Sequence, residues 1–207
     1  MVDPSPPFAL AATSGSTSTA AKRASTLVFA WGNPGRGDDA LGPRFVEIVE
    51  SWAIADVDCL SDFQLQVEHA LDLQHRTRVL FVDASAGEHT PFSIAPVSPA
   101  RDRSLASHAM SPAALLQVLC DLDCSAPPQA WLLGIRGHHW EFGAPLSASA
   151  ERHLAAALDW ARQWLSRPPG APADGPPVGL EPSLRSAQPS REQPVAPAAA
   201  NSRQPSA

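Results

Sequence analysis

Apolar residues recur along this chain with two alternating periods. Thr26–Trp31 is a short, largely apolar run ending at Gly32-Asn33-Pro34-Gly35, which predicts a buried strand closed by a turn. Beyond it Leu41, Phe45, Ile48, Val49 and Trp52 fall at helical spacing, the apolar face of an amphipathic helix. Val57–Leu60 predicts a second strand, and Val67–Gln74 a helix with Val67, Ala70 and Leu71 on one face. Arg78–Val82 has the continuous apolar character of a buried strand and stops at Asp83. Phe92–Val97 reads as a strand confined to a sheet edge by its internal and flanking prolines, because proline cannot donate to a ladder. Ser111-Pro112 opens a helix running through Leu115, Leu116 and Leu119, with Ser at the N-cap and Pro at the first helical position. Trp131–Ile135 is a further apolar strand. Ala148–Leu165 is the longest helix, with Leu154, Leu158, Ala161 and Leu165 toward the core. Strands alternating with helices over short connections predict an α/β domain, its sheet mostly parallel, with helices on both faces.

Composition sets the limits of that domain. Residues 1–25 are rich in Ser, Thr, Ala and Pro without periodicity, and read as a disordered arm. The segment 167–207 holds 10 of the chain's 22 prolines and few apolar anchors. It cannot bury enough surface to offset its ordering entropy and reads as a disordered tail. The expected folded domain is 26–166, large enough for one substantial core. The net charge is −6 at pH 7, and Lys22 is the one lysine. No Lys/Arg cluster is present, which argues against nucleic acid and against an anionic membrane surface. No apolar run approaches the ~20 residues of a membrane span. Phe8–Ala12 lacks the basic flank of a signal peptide, so a cytoplasmic protein is expected. Cys59, Cys120 and Cys124 include no Cys-x-x-Cys pair and read as buried thiols. Cys120 and Cys124, one helical turn apart, leave a metal reading open.

In an open α/β sheet, sites form beyond the carboxyl ends of the strands. The first predicted strand leads into Gly32-Asn33-Pro34-Gly35-Arg36-Gly37-Asp38-Asp39, and the strand at Arg78–Val82 leads into Asp83. Two acidic segments thus leave the same edge. The glycine order is neither the dinucleotide fingerprint nor a P-loop, and two carboxylates at the following helix start would repel a pyrophosphate. Helix capping accounts for one of Asp38 and Asp39; the other is free to face a cleft. Asp83 has its own ordinary role in capping a turn. A histidine would complete an oxygen-and-nitrogen metal site. His108 and the pair His138-His139 both fall on predicted loops, and the pattern does not choose between them. No G-x-S-x-G elbow supplies a nucleophile.

The run from Gly32 to Gly42 resembles the N-terminal signature of the hydrogenase maturation proteases, roughly G-N-x-x-x-x-D-[DE]-x-x-G. The resemblance continues through Phe81-Val82-Asp83-Ala84, His108-Ala109-Met110-Ser111-Pro112 and Leu133-Gly134-Ile135. It implies one domain built on a twisted sheet of about five strands between helices. It implies an endopeptidase that removes the C-terminal extension of a [NiFe]-hydrogenase large-subunit precursor after nickel insertion. The family's functional trio falls on Asp39, Asp83 and His108. Asp39 and Asp83 are then the catalytic carboxylates, and all three are ligands to nickel supplied by the substrate. No tightly bound cofactor of the protein's own is expected, and His139 takes a surface role.

Asp39 stands where many members carry Glu, one methylene longer. The segment Asp62–Glu68 lacks the Gly-Gly-Thr run of some members and is similar to the subgroup serving NAD-reducing soluble hydrogenases. The bound nickel would position the scissile peptide and polarise its carbonyl or a water; alternatively, a carboxylate acts as general base on water. Three other readings compete with cleavage. A nickel-sensing chaperone would use the same trio without cutting. A peptidyl-tRNA hydrolase would share Gly32-Asn33-Pro34-Gly35 but want an early histidine, whereas the first here is His69. A nucleotide-binding module is disfavoured by the acidic turn.

Overall fold

The structure, a computed structural model, describes residues 23–101, 110–122 and 126–169. Its strands are β1 (Thr26–Trp31), β2 (Val57–Asp62), β3 (Arg78–Ser85), β4 (Phe92–Val97) and β5 (Gln129–Arg136). Its helices are α1 (Leu41–Ser51), α2 (Pro112–Leu122) and α3 (Ala148–Leu165), with 3-10 turns at Gly37–Ala40 and Val67–Leu71. The sheet order is β2-β1-β3-β5-β4. β1 pairs in parallel with β2 and β3, β3 in parallel with β5, and β4 runs antiparallel on the edge. The fold is therefore the expected α/β domain, with five strands in a mostly parallel sheet. Edge placement of β4 fits its Pro96, which stands opposite Trp131 and has no N–H to donate outward.

Strand alternation divides the core into two layers. Val28, Ala30, Leu80, Val82, Leu133 and Ile135 point to one face and pack with α1 and α3. Leu27, Phe29, Val79 and Phe81 point to the other and pack with Leu115, Leu116 and Leu119 of α2. A sheet buried on both faces needs apolar residues at consecutive positions, which is why β1 and β3 read as continuous runs. Helix ends follow local chemistry. The Ser111 hydroxyl accepts from Ala114 N–H at 3.1 Å, and the Ser147 hydroxyl caps α3 by accepting from Ala150 N–H at 3.1 Å.

One expected helix is not formed. Val67–Gln74 contains only the 3-10 turn Val67–Leu71, and Val67 and Leu71 are exposed while Ala70 is buried. Buried Ala70 and Leu73 lie three residues apart, as a three-residue turn requires. His75 then takes a positive φ of 63°, which cannot continue a right-handed helix.

At the amino end of the sheet a buried guanidinium gathers the elements. Arg78 is 1% exposed. Its Nε donates to the Thr26 hydroxyl at 3.0 Å, and Nη2 donates to the Arg167 carbonyl at 2.8 Å. Its plane lies 4.1 Å from the Trp164 ring centre, so the group that closes α3 also tethers it to β1 and β3. Contacts with the body reach outward to Arg23, whose guanidinium donates to Leu71 O at 2.7 Å, and to Arg167. Removing the guanidinium strands buried acceptors without their donors. Arg78→Met should lower the unfolding free energy by about 3 kcal/mol. Arg44→Met, which breaks an exposed pair with Glu47 on α1, should change it by less than about 0.5 kcal/mol. Urea titrations followed by circular dichroism compare the two.

Candidate functional site

Two glycines bend the first loop over the carboxyl edge of the sheet. Gly32 follows β1 with φ +142°, and a Cβ there would strike the Asp39 carbonyl oxygen. Gly42, in the first turn of α1, lies so close to the carbonyls of Trp31 and Val82 that a side chain has no room. The loop is thereby folded back against the ends of β1 and β3, and Asp39 is delivered to Asp83. Within the loop the Asn33 side-chain oxygen accepts from Gly35 N–H at 2.9 Å. The Asp39 carboxylate accepts from Asn33 N–H at 3.1 Å, which holds it against the start of its own loop.

Asp38 and Asp39 divide their roles. Asp38 is fully buried. Its Oδ2 accepts from the N–H groups of His138 and His139 at 2.8 and 3.0 Å and from the Ser147 hydroxyl at 2.9 Å. Its Oδ1 accepts from Ser147 N–H at 2.7 Å. Burial alone would raise its pKa, but these hydrogen bonds to the charged form outweigh burial and hold it below the ordinary carboxylate value. Asp38 does not cap α1, whose start has no side-chain cap. It serves instead the β5–α3 loop and the cap residue of α3, a long-range role that local sequence does not announce.

Asp83 lies within β3, which runs on to Ser85 because the pairing with β5 continues through Asp83 opposite Gly134. Its carboxylate accepts from Ala84 N–H at 2.8 Å. Burial pushes its pKa up to about 7, and the Asp39 charge adds to the rise; the Ala84 N–H and the Trp31 indole oppose it without cancelling it. A second carboxyl, Asp39, beside one whose pKa is pushed up to about 7 is an arrangement able to move a proton at physiological pH.

The other singled-out residues are distributed as follows. His108 lies outside the described residues, as does Cys124. His138 and His139 are exposed, their backbones committed to Asp38. Burial first, then the charges of Glu50 and Asp58, raise the Cys59 thiol to about 11, which keeps it unreactive. Among the described residues no three His, Cys, Asp or Glu side chains form a metal-holding group, and no helix is long and apolar enough to cross a membrane. His69 was not singled out from sequence, yet it is buried at this edge. Its Nδ1 accepts from Gln66 N–H at 3.0 Å, its Nε2 stands 3.2 Å from Asp62 Oδ2, and its ring meets Phe29 edge-on at 4.8 Å. Both ring nitrogens are thus engaged. The local signal was the Gln66-x-x-His69 spacing of a capping box.

The raised pKa of Asp83 has a thermodynamic sign. Between about pH 4 and pH 7 the unfolded chain loses this proton while the folded chain keeps it. The stability Asp83 contributes is therefore full below its ordinary value of 3.8 and lost as pH rises to about 7. Asp83→Asn should melt above the wild type at pH 8 and show a weaker decline between pH 4 and 7. Parallel melting curves for the two proteins across that range would contradict the assignment.

No protein-family model matches the chain, and no curated protein matches it in sequence. Solved structures do match its fold. The [NiFe] hydrogenase maturation protease HycI from Thermococcus kodakarensis superposes with a TM-score of 0.56 at 18% identity, covering 71% of this chain and 96% of its own. The hydrogenase maturating endopeptidase HybD from E. coli gives 0.54 at 23%, covering 68% and 91%. The hydrogenase 2 maturation peptidase from a Thaumarchaeota archaeon gives 0.50 at 24%, covering 68% and 97%. Fold is what these identities establish: the fold of this chain resembles that of the hydrogenase maturation endopeptidases.

Proposed function

We propose that the chain is a cytoplasmic endopeptidase that removes the C-terminal extension of a nickel-loaded [NiFe]-hydrogenase large-subunit precursor. The observation that carries this reading is the convergence of Asp39 and Asp83 at the carboxyl edge of the sheet, produced by the fold-back of the first loop. The likeness in fold to maturation endopeptidases supports it.

The chemistry follows from the two environments. Asp39, as carboxylate, takes a proton from water as the water oxygen bonds to the scissile carbonyl carbon. Asp83, kept protonated near neutral pH by burial, donates its proton to the departing amide nitrogen as the C–N bond breaks. The proton gained by Asp39 balances the one lost by Asp83, and exchange with solvent restores the pair. Nickel belongs to the substrate in this scheme. Where Asp39, Asp83 and, by the resemblance, His108 instead hold that ion, Asp83 would give up its proton to solvent on ligation, the ion would polarise the scissile carbonyl in place of the acid step, and cleavage would be conditional on correct loading. Two carboxylates and an imidazole suit a divalent first-row ion.

Asp39→Asn, Asp83→Asn and His108→Ala should each reduce processing of nickel-loaded precursor at least about 100-fold with circular dichroism near wild type. His139→Ala should process within about twofold of wild type. Gel shifts of the precursor report each outcome, and loss of processing in His139→Ala with normal His108→Ala would reverse the histidine assignment. Chelator-treated enzyme should cut nickel-loaded precursor and leave nickel-free precursor intact. Stoichiometric zinc in the resting enzyme, with activity restored by zinc alone, would replace this scheme with a resident-metal peptidase.

A further inference from the structure

The loop that carries Asp39 is fastened along its length to the loop between β5 and α3. Asp38 N–H donates to the His139 carbonyl at 2.7 Å, Gly37 N–H to Ala144 O at 3.1 Å, and Gly143 N–H to Gly35 O at 2.8 Å. Arg36 Nε donates to Trp140 O at 3.1 Å, while the Asp38 carboxylate ties His138, His139 and Ser147 from below. Two loops thus become one plate at the rim of the site. Phe142 stands on this plate, 77% exposed, with the Arg36 guanidinium 5.5 Å from its ring centre.

Folding leaves the Phe142 ring unexplained and accounts for Arg36 only through its Nε. A phenyl ring held in water contributes nothing to the core, and loops pinned by this many hydrogen bonds cannot bend to hide it. Arg36 spends Nε on Trp140 O, and its two terminal nitrogens meet no acceptor among the described residues. A guanidinium held against an aromatic ring, with its outer N–H groups free, is arranged to grip a carboxylate while an apolar group lies on the ring. Arg and exposed aromatics on a preorganised surface are the residue types that dominate polypeptide binding. The edge beside them carries the carboxylates of Asp39 and Asp62. A carboxylate on a partner is therefore repelled from the centre and drawn to Arg36, which sets the partner's register.

We infer that Arg36 and Phe142 form a docking contact for the polypeptide substrate, taking a segment in which an apolar side chain neighbours an Asp or Glu carboxylate. The inference rests on the peptidase reading above. Arg36 lies three residues from Asp39 in one turn, its carbonyl accepting the Asp39 N–H at 3.1 Å. A segment docked on the plate is thereby held in fixed relation to the carboxylate pair.

The test uses the full chain and full-length nickel-loaded large-subunit precursor. Phe142→Ala should raise KM at least about 10-fold with kcat within about twofold of wild type, and Arg36→Ala should raise KM at least as much. Phe142→Trp should restore KM, whereas Arg36→Lys should not, because an ammonium lacks the planar fork. Phe142→Ala should melt with the wild type, since an exposed ring carries little fold stability. Calorimetric titration of precursor into the Asp83→Asn chain should show the same loss of affinity when Phe142→Ala is added. If the wild type cuts and both alanine variants keep normal KM and affinity, the docking inference is overturned and the peptidase reading stands. If the wild type binds without cutting and the variants weaken that binding, the peptidase reading alone falls. If the wild type neither binds nor cuts, both fall.

Discussion

Asp38 exchanges its water for four hydrogen bonds from three residues of a loop about a hundred positions away. Buried carboxylates are costly unless their lone pairs are filled, so this one forces the β5–α3 loop and the α3 cap to close on the first loop. The closure sets the level of α3 against the sheet. It also brings His138, Trp140 and Phe142 to the rim, and it leaves Asp39 as the carboxylate of the Asp-Asp pair that must look elsewhere. An Asn at position 38 would present an NH2 where the fold offers donors, so the position demands a charge rather than mere polarity. Everything proposed for the carboxyl edge, chemistry and docking alike, depends on that fastening.

Adjacent identical side chains therefore acquire different chemistry from their surroundings. Asp38 is encircled by donors and held ionised. Asp83 has one backbone donor, a desolvating setting and a neighbouring negative charge, which together hold its proton to about 7. Asp39 is half-buried and tethered through the Asn33 N–H. Hydrogen bonding and desolvation oppose each other at both groups: four donors bring the Asp38 pKa down despite burial, whereas burial and the Asp39 charge outweigh the donors of Asp83, and its pKa moves up.

Most of the fold could be read along the chain because both-face burial leaves a strong local trace. β1, β3, β5, α2 and α3 are continuous apolar runs or helical stripes, α2 with a cap at Ser111, and their limits differ from expectation by few residues. The failures were non-local. The Val67–Gln74 stripe looked helical, but the tertiary packing uses only Ala70 and Leu73. The strand before Asp83 was expected to stop there, yet pairing with β5 carries it to Ser85. At the site, the approach of the Asp38-Asp39 turn to Asp83 was legible from strand ends alone. Which member of Asp38-Asp39 is structural was not, because the answer lies in donors at positions 138, 139 and 147. His69 was hidden for a similar reason: its partner Asp62 belongs to the end of β2, and no continuous helix or strand joins the two positions.

Arg78 and Asp38 sit at opposite ends of the sheet and do complementary work. The guanidinium closes α3 on the strand starts, where nothing catalytic is proposed and stability can be maximised. The carboxylate closes α3 on the strand ends, where stability is given up to keep Asp83 desolvated beside Asp39. A polypeptide seated on Arg36 and Phe142 would cover the Asp39 turn and exclude water from it. Loss of water strengthens the interaction between the two carboxylates and favours the state with one shared proton, the state from which one group takes a proton and the other gives one. Docking at the rim and readiness at the centre would thus be linked through the turn from Arg36 to Asp39.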